Sequence, residues 1–421
     1  MLFTLLKLSI HSLRNRMLTV GLTLFAIALG VFLLLGVEKV RTEAKQSFTN
    51  TVSGTDLVVG ARSGSIQLLL YSVFRLGNPT SNVSWKSYRM IEGSKDIAWT
   101  IPISLGDSHR GFRVLGTTED YFQHYRFGRR QALQFKSGKL FEDVFDAVLG
   151  ADVAKKLGYR IGQKIILSHG IGDTGGLEHD DKPFRISGIL SKTGTPLDRT
   201  IHVSLNGMEA IHIDWRRGAP IPGMQISAEE VRQLELEPKS ITAFLLGLKS
   251  KLSIFKVQRR INQYRKEPLM AILPGVALQE LWDLMSVAEI ALAVISVLVV
   301  VISLLVMLAM LLSSLNDRRR EMAILRSVGA RVSHIFLLLI IEAGLITFFG
   351  MLIGLSMFYA ALFSLHPFLE TQFGLFFAFD LLSIREVKIL LLIFIAGLFT
   401  GLLPAYRACK KSIAEGLIVR L

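Results

Sequence analysis

Four long apolar runs stand out along the chain. Residues 17–37, 290–312 and 389–406 contain no charged side chain, and residues 335–365 contain only Glu342. A helix rises about 1.5 Å per residue, so about 20 apolar residues cross the ~30 Å hydrocarbon core of a bilayer. The pattern therefore predicts four transmembrane helices, which we place at residues 17–37, 286–312, 335–365 and 387–406.

The region between the first two predicted spans, residues 38–285, has a different pattern. Short β-type runs broken by glycine and proline alternate with runs of helical periodicity. The β-type runs are residues 56–59, 97–103, 112–115, 164–168, 184–190 and 200–205, and the helical runs are 152–157, 205–211 and 253–264. We expect an α+β domain with two lobes, one built from residues 50–115 and 240–280 and the other from residues 116–213. The predicted fold class is an α-helical membrane protein with this large extracytoplasmic domain between helices 1 and 2.

Basic residues gather before the first span, between the second and third, and after the fourth. Because Lys and Arg mark the cytoplasmic ends of spans, the amphipathic helix at residues 1–16, the segment at 313–334 and the basic tail at 407–421 are predicted to be cytoplasmic. Residues 38–285 and the short loop at 366–386 are then external. In a Gram-negative bacterium this places the protein in the inner membrane, with the large domain in the periplasm.

Composition narrows the classes of function. The chain has 421 residues, of which 51% are hydrophobic, and a mean hydropathy of +0.45. These values fit a membrane protein with a sizeable extramembrane domain. The net charge of +14 agrees with contact to an anionic membrane surface, and no patch of basic and aromatic residues indicates nucleic acid. The single cysteine, Cys409, excludes an intrachain disulfide and a thiolate metal cluster.

The sequence lacks G-x-x-x-x-G-K-[ST], G-x-S-x-G, H-E-x-x-H and C-x-x-C, so we expect no nucleotide hydrolysis and no enzyme activity in this chain. One polar stretch offers imidazole and carboxylate groups that suit a metal ion. Its members are His169, Asp173, Glu178, His179, Asp180 and Asp181. Four glycines in the same stretch favour a solvated hairpin loop. We adopt that interpretation and assign no metal, with a metal contact as the alternative.

The segment between spans two and three carries the clearest functional signal. Residues 315–330 read LNDRRREMAILRSVGA. Apolar side chains recur there at helical spacing, at Met322, Ile324, Leu325 and Val328, and Gly329 fits a helix stop. We expect a short helix along the membrane that docks into a groove of a cytoplasmic partner. The alternative is a purely positive-inside anchor.

One carboxylate, Glu342, lies about two turns inside the third predicted span. A charge at that depth is costly unless it is paired, and an arginine on the cytoplasmic side is the partner that we expect. A structural pair that fixes this span is the simpler interpretation, and a part in relaying motion is the alternative.

These segments together resemble the FtsX/MacB-type permeases of ABC transporters, which include lipoprotein-releasing and macrolide-exporting systems. Residues 319–330 (RREMAILRSVGA) are similar to the coupling segment of that family, with Ala323 in place of its usual glycine. Residues 341–343 (IEA) match its third span, and residues 401–408 (GLLPAYRA) match the end of its last span. Parts of residues 138–163 resemble its periplasmic core domain.

The resemblance implies a membrane subunit whose ATPase is a separate protein. The implied partners are a cytoplasmic ABC ATPase dimer that binds ATP and Mg²⁺, a second permease copy or paralogue, and a periplasmic adaptor or binding protein. No cofactor is expected in this chain. The residues implied in ATPase coupling are Arg318, Arg319, Arg320, Glu321, Met322, Ile324, Leu325, Arg326 and Gly329, and those at the end of the last span are Gly401, Pro404 and Arg407.

In such a system, ATP hydrolysis moves the external domain, an action called mechanotransmission. The motion would transport or extract a lipoprotein, lipid, peptide or amphiphilic drug. Two alternatives stay open at this point. One is a transmembrane regulator that transports nothing and activates a periplasmic hydrolase. The other is a membrane-anchored binder of a solute or metal.

Overall fold

The computed structural model describes residues 2–14, 16–51, 53–170, 178–216, 219–221, 226–317, 319–373 and 382–415. The chain divides into two compact units. The membrane unit comprises Met1–Glu43, Ser286–Pro367 and Phe377–Leu421, and the external unit comprises Ala44–Met285 and Phe368–Phe376. Predictions also fell on Asp173, Arg318 and residues 374–381 and 416–421, which lie outside the described residues.

The described residues contain thirteen α-helices. They are α1 (Leu2–Arg14), α2 (Met17–Thr51), α3 (Ser65–Ser72), α4 (Trp85–Glu92), α5 (Asp120–His124), α6 (Ala151–Leu157), α7 (Leu205–Ala210), α8 (Ala228–Val231), α9 (Ile254–Asn262), α10 (Pro274–Asp317), α11 (Arg319–Ser327), α12 (Val332–Phe373) and α13 (Ile384–Glu415). Four of them, α2, α10, α12 and α13, are long and apolar enough to cross a membrane. The predicted four spans and their order along the chain are confirmed.

These four helices extend beyond the predicted spans. α2 continues to Thr51, and α10 begins at Pro274, ahead of the predicted start at residue 286. Residues 38–51 contain neither glycine nor proline, so none of the strong helix breakers interrupts α2 there. Proline suits the first position of a helix because the N–H that it lacks would have no intrahelical partner. α12 reaches Phe373, so the predicted loop at residues 366–386 starts as helix.

The helix at the centre of the membrane unit is α12, which is the most buried of the four spans. Two glycines on α12 let it approach α2 closely. A Cβ added at Gly354 would lie 2.6 Å from the carbonyl oxygen of Ala28, and one at Gly350 would lie 2.8 Å from Ile27. No side chain fits in that space, so α2 and α12 are in direct backbone contact, as small residues allow in membranes.

α13 packs against α12 through a second pair of glycines. A Cβ at Gly401 would lie 2.7 Å from the Cβ of Ala343, and one at Gly397 would overlap the side chain of Thr347. The hydroxyl of Thr347 donates to the carbonyl of Ala343 at 2.8 Å, so this polar group is satisfied within its own helix. Gly401 therefore has a packing role in the membrane unit.

A mixed sheet of eleven strands forms the centre of the external unit. The strands in the described residues are β1 (Leu57–Ala61), β2 (Val83–Ser84), β3 (Ile97–His109), β4 (Phe112–Thr117), β5 (Arg126–Phe127), β6 (Gln131–Ala132), β7 (Phe135–Gly138), β8 (Asp146–Leu149), β9 (Lys164–Ile165), β10 (Ser168–His169), β11 (Phe184–Leu190), β12 (Thr200–Ser204), β13 (Trp215–Arg216), β14 (Ala219–Pro220), β15 (Ser240–Ile241), β16 (Ala243–Leu248) and β17 (Leu269–Ile272). The main order is β17-β1-β16-β3-β4-β12-β8-β11-β7, and β10 and β9 pair with β3 and β11.

The long strand β3 joins the two predicted lobes into one sheet. It pairs with β16 from Ile97 to Ile103, and its later residues pair with β4 and β10. A shift in register between Leu105 and Ser108 interrupts the pairing of β3 with β4. The predicted lobes are therefore two halves of a continuous sheet, which the sequence alone does not reveal because it does not show which strands pair.

One buried histidine affects how the stability of the external unit depends on pH. His202 on β12 is fully buried, and its Nδ1 lies 3.2 Å from the carbonyl oxygen of Val148, to which it donates. The rings of Tyr121 and Phe122 lie 5.3 and 5.8 Å from its ring, between centroids. Burial, with a smaller contribution from the positive charge of Arg75, lowers the pKa of His202 to about 3.

We predict that leucine at Gly401 destabilises the membrane unit by about 1–3 kcal/mol, because the added side chain forces α13 away from α12. The measurement is the unfolding midpoint of the detergent-solubilised protein, followed by far-UV circular dichroism. The matched control is Gly36→Leu, since no atom of the described residues lies within 4 Å of a Cβ built at Gly36. Equal midpoints for the two variants would contradict the packing role of Gly401.

We predict that His202 contributes to acid unfolding of the external unit. Below about pH 6.5 His202 becomes protonated in the unfolded chain but stays neutral in the folded one. The free energy of unfolding therefore falls by up to about 1.4 kcal/mol per pH unit as the pH is lowered. This fall ends near the folded pKa of about 3. His202→Asn keeps the donor to Val148 and should flatten this slope. All four tryptophans lie between residues 85 and 282, so denaturation followed by tryptophan fluorescence reports on this unit. If the free energy of unfolding of His202→Asn fell with pH as steeply as that of the wild type, the role of His202 in acid unfolding would be contradicted.

Candidate functional sites

The segment between the second and third spans forms the predicted short helix, α11, and a glycine ends it. Gly329 has a φ of +96°, a left-handed conformation that glycine adopts without strain. The N–H groups of Gly329 and Ala330 donate to the carbonyls of Arg326 and Leu325, each at 3.0 Å. This is the Schellman arrangement, which satisfies carbonyls at the end of a helix.

The apolar residues predicted to form one stripe on α11 face in two directions, toward the helix bundle and toward solvent. Met322 packs against a buried cluster at the base of the membrane unit, which consists of Leu315, Ile335, Leu339, Ala405 and Ala408. Ile324 and Val328 are 55% and 83% exposed. We call these two side chains the α11 ridge. The predicted stripe is therefore divided between the helix bundle and solvent, because periodicity cannot tell which apolar residues of a helix face the bundle. The part of Met322 in coupling stays a prediction.

The other predicted coupling residues that the structure describes lie on α11 or directly after it. Glu321 and Arg326 are exposed and Leu325 is half-buried, while Arg319 and Arg320 lie in the first turn of α11. Glu342 in α12 is buried. At the end of the last span, Pro404 is buried within α13 and Arg407 is exposed.

Ion pairs connect three helices on the external side of the membrane unit. Arg41 of α2 lies 3.0 Å from Glu289 of α10 and 3.3 Å from Glu38 of its own helix. Glu38 in turn lies 2.9 Å from Arg385 of α13. We call these four residues the outer clamp. The clamp was not predictable from the sequence, because its residues are scattered charges near the ends of different spans.

A second constellation lies in the external unit, where Asp107, His169, His179 and His212 converge. One ligand-type atom from each residue lies within 4.8 Å of the other three. β3 pairs with β10 so that His169 stands opposite Asp107. His179 follows shortly after β10, and His212 lies in the turn after α7. We call these four residues the histidine cluster.

The polar stretch was predicted to be a solvated hairpin loop, but not all of its described residues are exposed. Of its residues, His169 and His179 enter the histidine cluster, whereas Asp180 is exposed and Asp181 pairs with Lys182. His179 is fully buried, which the prediction of a solvated loop did not anticipate. Asp107 and His212, from distant parts of the chain, lie beside the histidines in place of Asp180 and Asp181.

A buried ion pair holds the same part of the fold. Nζ of Lys182 lies 2.8 Å from Oδ2 of Asp214, and both side chains are almost completely buried. Asp214 is two residues from His212, and Lys182 is three residues from His179. The pair thus fixes the two segments that carry these histidines. The ring of Trp215 packs against His179, with 4.1 Å between the two ring centroids.

The charges of the histidine cluster are strongly coupled. Burial alone would raise the pKa of Asp107, but its contacts with His169 and His212 lower it to about 2. Burial, followed by the charge of His212, lowers the pKa of His179 to about 4. Burial also opposes protonation of His212, but the carboxylate of Asp107 outweighs it and raises the pKa of His212. Near neutral pH the cluster therefore contains a carboxylate and a neutral His179.

Comparison with known proteins agrees with this architecture. The model of the MacB-like periplasmic core domain matches residues 20–264, and that of the FtsX-like permease C-terminal region matches residues 293–413. The chain is similar to the periplasmic region of MacB from Actinobacillus actinomycetemcomitans, with 11% identity, a TM-score of 0.34, and coverage of 56% of this chain and 95% of that one. No curated protein matches the chain.

A second similar structure is the extracellular domain of the noncanonic ABC-type transporter YknZ from Gram-positive bacteria, with 11% identity, a TM-score of 0.31, and coverage of 52% of this chain and 99% of that one. The periplasmic core model alone matches more than half of the residues of this chain. Members of this family are membrane components that work with cytoplasmic ATPases. The chain belongs to the FtsX/MacB-like family of ABC transporter permeases.

Proposed function

We propose that this chain is the permease subunit of an ABC system in a bacterial inner membrane, driven by a separate cytoplasmic ATPase dimer that binds ATP and Mg²⁺. The observation that carries the proposal is the two-sided packing of α11. Its ridge, Ile324 and Val328, is exposed, while Met322 packs on residues of α10, α12 and α13. An ATPase that docks on the ridge and moves α11 therefore also moves the base of these three spans.

The outer parts of α2 and α10 support transmission to the external domain. Each helix runs without interruption from the membrane unit into the external unit. The hydroxyl of Tyr125 donates to the carbonyl of Thr51 at 2.7 Å, and Leu278 and Trp282 of α10 belong to a buried core cluster. Both helices are therefore anchored in the domain that we propose they move. The outer clamp makes α2, α10 and α13 move together, as in a lever mechanism.

The proposed cargo is a lipoprotein, lipid, peptide or amphiphilic drug, which motion of the external domain moves or extracts. Two permease chains, identical or paralogous, would form the complete unit, and a periplasmic adaptor or binding protein would complete the path. The large exposed surface of α10, the least buried of the four spans, supports contact with lipid or with a second chain.

We predict that replacing both Ile324 and Val328 by aspartate uncouples the system, because charges take the place of the apolar surface offered to the ATPase groove. Stimulation of the ATPase that copurifies with the permease should fall at least about 10-fold in nanodiscs, while the unfolding midpoint of the permease stays unchanged. The matched control is Ile324→Leu with Val328→Leu, which keeps the ridge apolar. A charged variant that still binds and stimulates its ATPase would refute docking on the ridge.

We predict that the outer clamp is needed for coupling. Arg41→Glu places like charges beside Glu38 and Glu289 and should lower cargo-dependent ATPase stimulation by roughly 5-fold or more. Adding Glu289→Arg should restore part of the loss, because the pair is then re-formed in reverse. Lys39→Glu is the control, since Lys39 pairs with Glu43 of the same helix. Failure of the reversed pair to restore activity would show that the clamp is not the reason for the defect.

A further inference from the structure

We propose that the histidine cluster is a binding site for one divalent transition-metal ion, with Zn²⁺ as the ion that it favours. Three imidazoles and one carboxylate are a ligand set that suits Zn²⁺, because this ion prefers nitrogen and oxygen ligands in tetrahedral geometry. The site lies entirely within the external unit. The proposal stands independently of the ATPase docking proposed above.

The distances between three of the ligand atoms match a tetrahedral ion. Nδ1 of His169 lies 3.2 Å from Oδ1 of Asp107 and 3.1 Å from Nε2 of His212, and the latter two atoms are 3.5 Å apart. Bonds of about 2.0–2.2 Å at tetrahedral angles place neighbouring ligand atoms roughly 3.4 Å apart. The three atoms thus already form one face of the required tetrahedron, and an ion can be accommodated without moving any of their segments far.

One of these rings is oriented by a hydrogen bond outside the cluster. Nδ1 of His212 donates to the carbonyl oxygen of Met208 at 2.8 Å, which leaves the lone pair of its Nε2 directed at His169 and Asp107. A hydrogen bond of this kind, from the nitrogen that does not bind the ion, is the usual support of a metal-ligating histidine. His212 is therefore held in the tautomer that metal binding requires.

The buried, unpartnered ring of His179 is independent evidence for a ligand in the histidine cluster. Its side chain is fully buried, and neither of its ring nitrogens has a hydrogen-bond partner among the described residues. Oδ2 of Asp107 is buried and unpartnered in the same part of the structure. Leaving a buried polar group unsatisfied costs about 1–3 kcal/mol. A ring nitrogen of His179 lies within 4.8 Å of the other three ligand atoms, so a shift of roughly 1 Å would complete the tetrahedron.

The surroundings point to reversible binding without catalysis. The side chains of His169 and His212 are 37% and 26% exposed, so an ion can enter from solvent on their side, while Trp215 covers His179. Four ligands from the protein fill a tetrahedral shell and leave no position for substrate, which is typical of structural sites. The ion would join β3, β10 and the turn after α7.

Titration of the full-length protein in detergent tests the proposal. The protein carries no polyhistidine tag and is first freed of metal with a chelator, and Zn²⁺ is then titrated in competition with a chromophoric chelator. We expect one ion per chain in the wild type and affinity at least about 100-fold weaker in His179→Gln and in Asp107→Asn. The matched control, His124→Gln, removes another histidine of the same unit that lies near an aspartate, Asp120, and should bind as the wild type does.

Two further measurements separate a built site from adventitious binding. Co²⁺ should give the intense visible absorption of a tetrahedral complex and should quench tryptophan fluorescence, and Trp215→Phe should lose most of the quenching but keep the affinity. Zn²⁺ should also raise the unfolding midpoint of the wild type but not that of Asp107→Asn. Equal Zn²⁺ affinity in the wild type and the cluster variants, or the weak absorption of octahedral Co²⁺, would overturn the proposal, since either result shows an adventitious ion only.

Discussion

Close backbone contact around α12 is the constraint on which the membrane unit depends. In lipid the hydrophobic effect does not draw helices together, so their association relies on van der Waals contact over small residues and on hydrogen bonds. Gly350 and Gly354 provide that contact with α2, and Gly397 and Gly401 provide it with α13. The packing of α13 against α12 also forms the cluster on which Met322 lies. The packing of α11 on the spans thus depends on glycines within the spans.

In the external unit, the strand β3 has a structural role comparable to that of α12 in the membrane unit. Its first residues pair with β16, and its last residues pair with β4 and β10, so one strand fixes the relation between both halves of the sheet. The same strand carries Asp107, which pairs in register with His169. The histidine cluster therefore lies where strands of the central sheet meet, and its geometry is set by backbone pairing.

The membrane architecture was predictable because a bilayer imposes a length and a composition that few other constraints override. Strong local patterns were also predictable, since β11 occupies Phe184–Leu190, the range given by its β-type run. Contacts between distant segments were not. Asp107 and His212 lie 62 and 43 residues from His169, so no spacing motif connects them. The apolar residues of α11 were found correctly, but their two directions depend on where the spans lie.

The buried pair of Lys182 and Asp214 bears on whether the histidines of the cluster serve only to hold the fold together. That pair already holds together the two segments that carry His179 and His212. A fold that needed only this link would gain by placing an apolar side chain at His179, because a buried imidazole without a partner is costly. An ion at the proposed site would remove this cost, since it would bind a nitrogen that has no partner among the described residues. The chemistry of His179 is therefore better explained by a ligand than by packing.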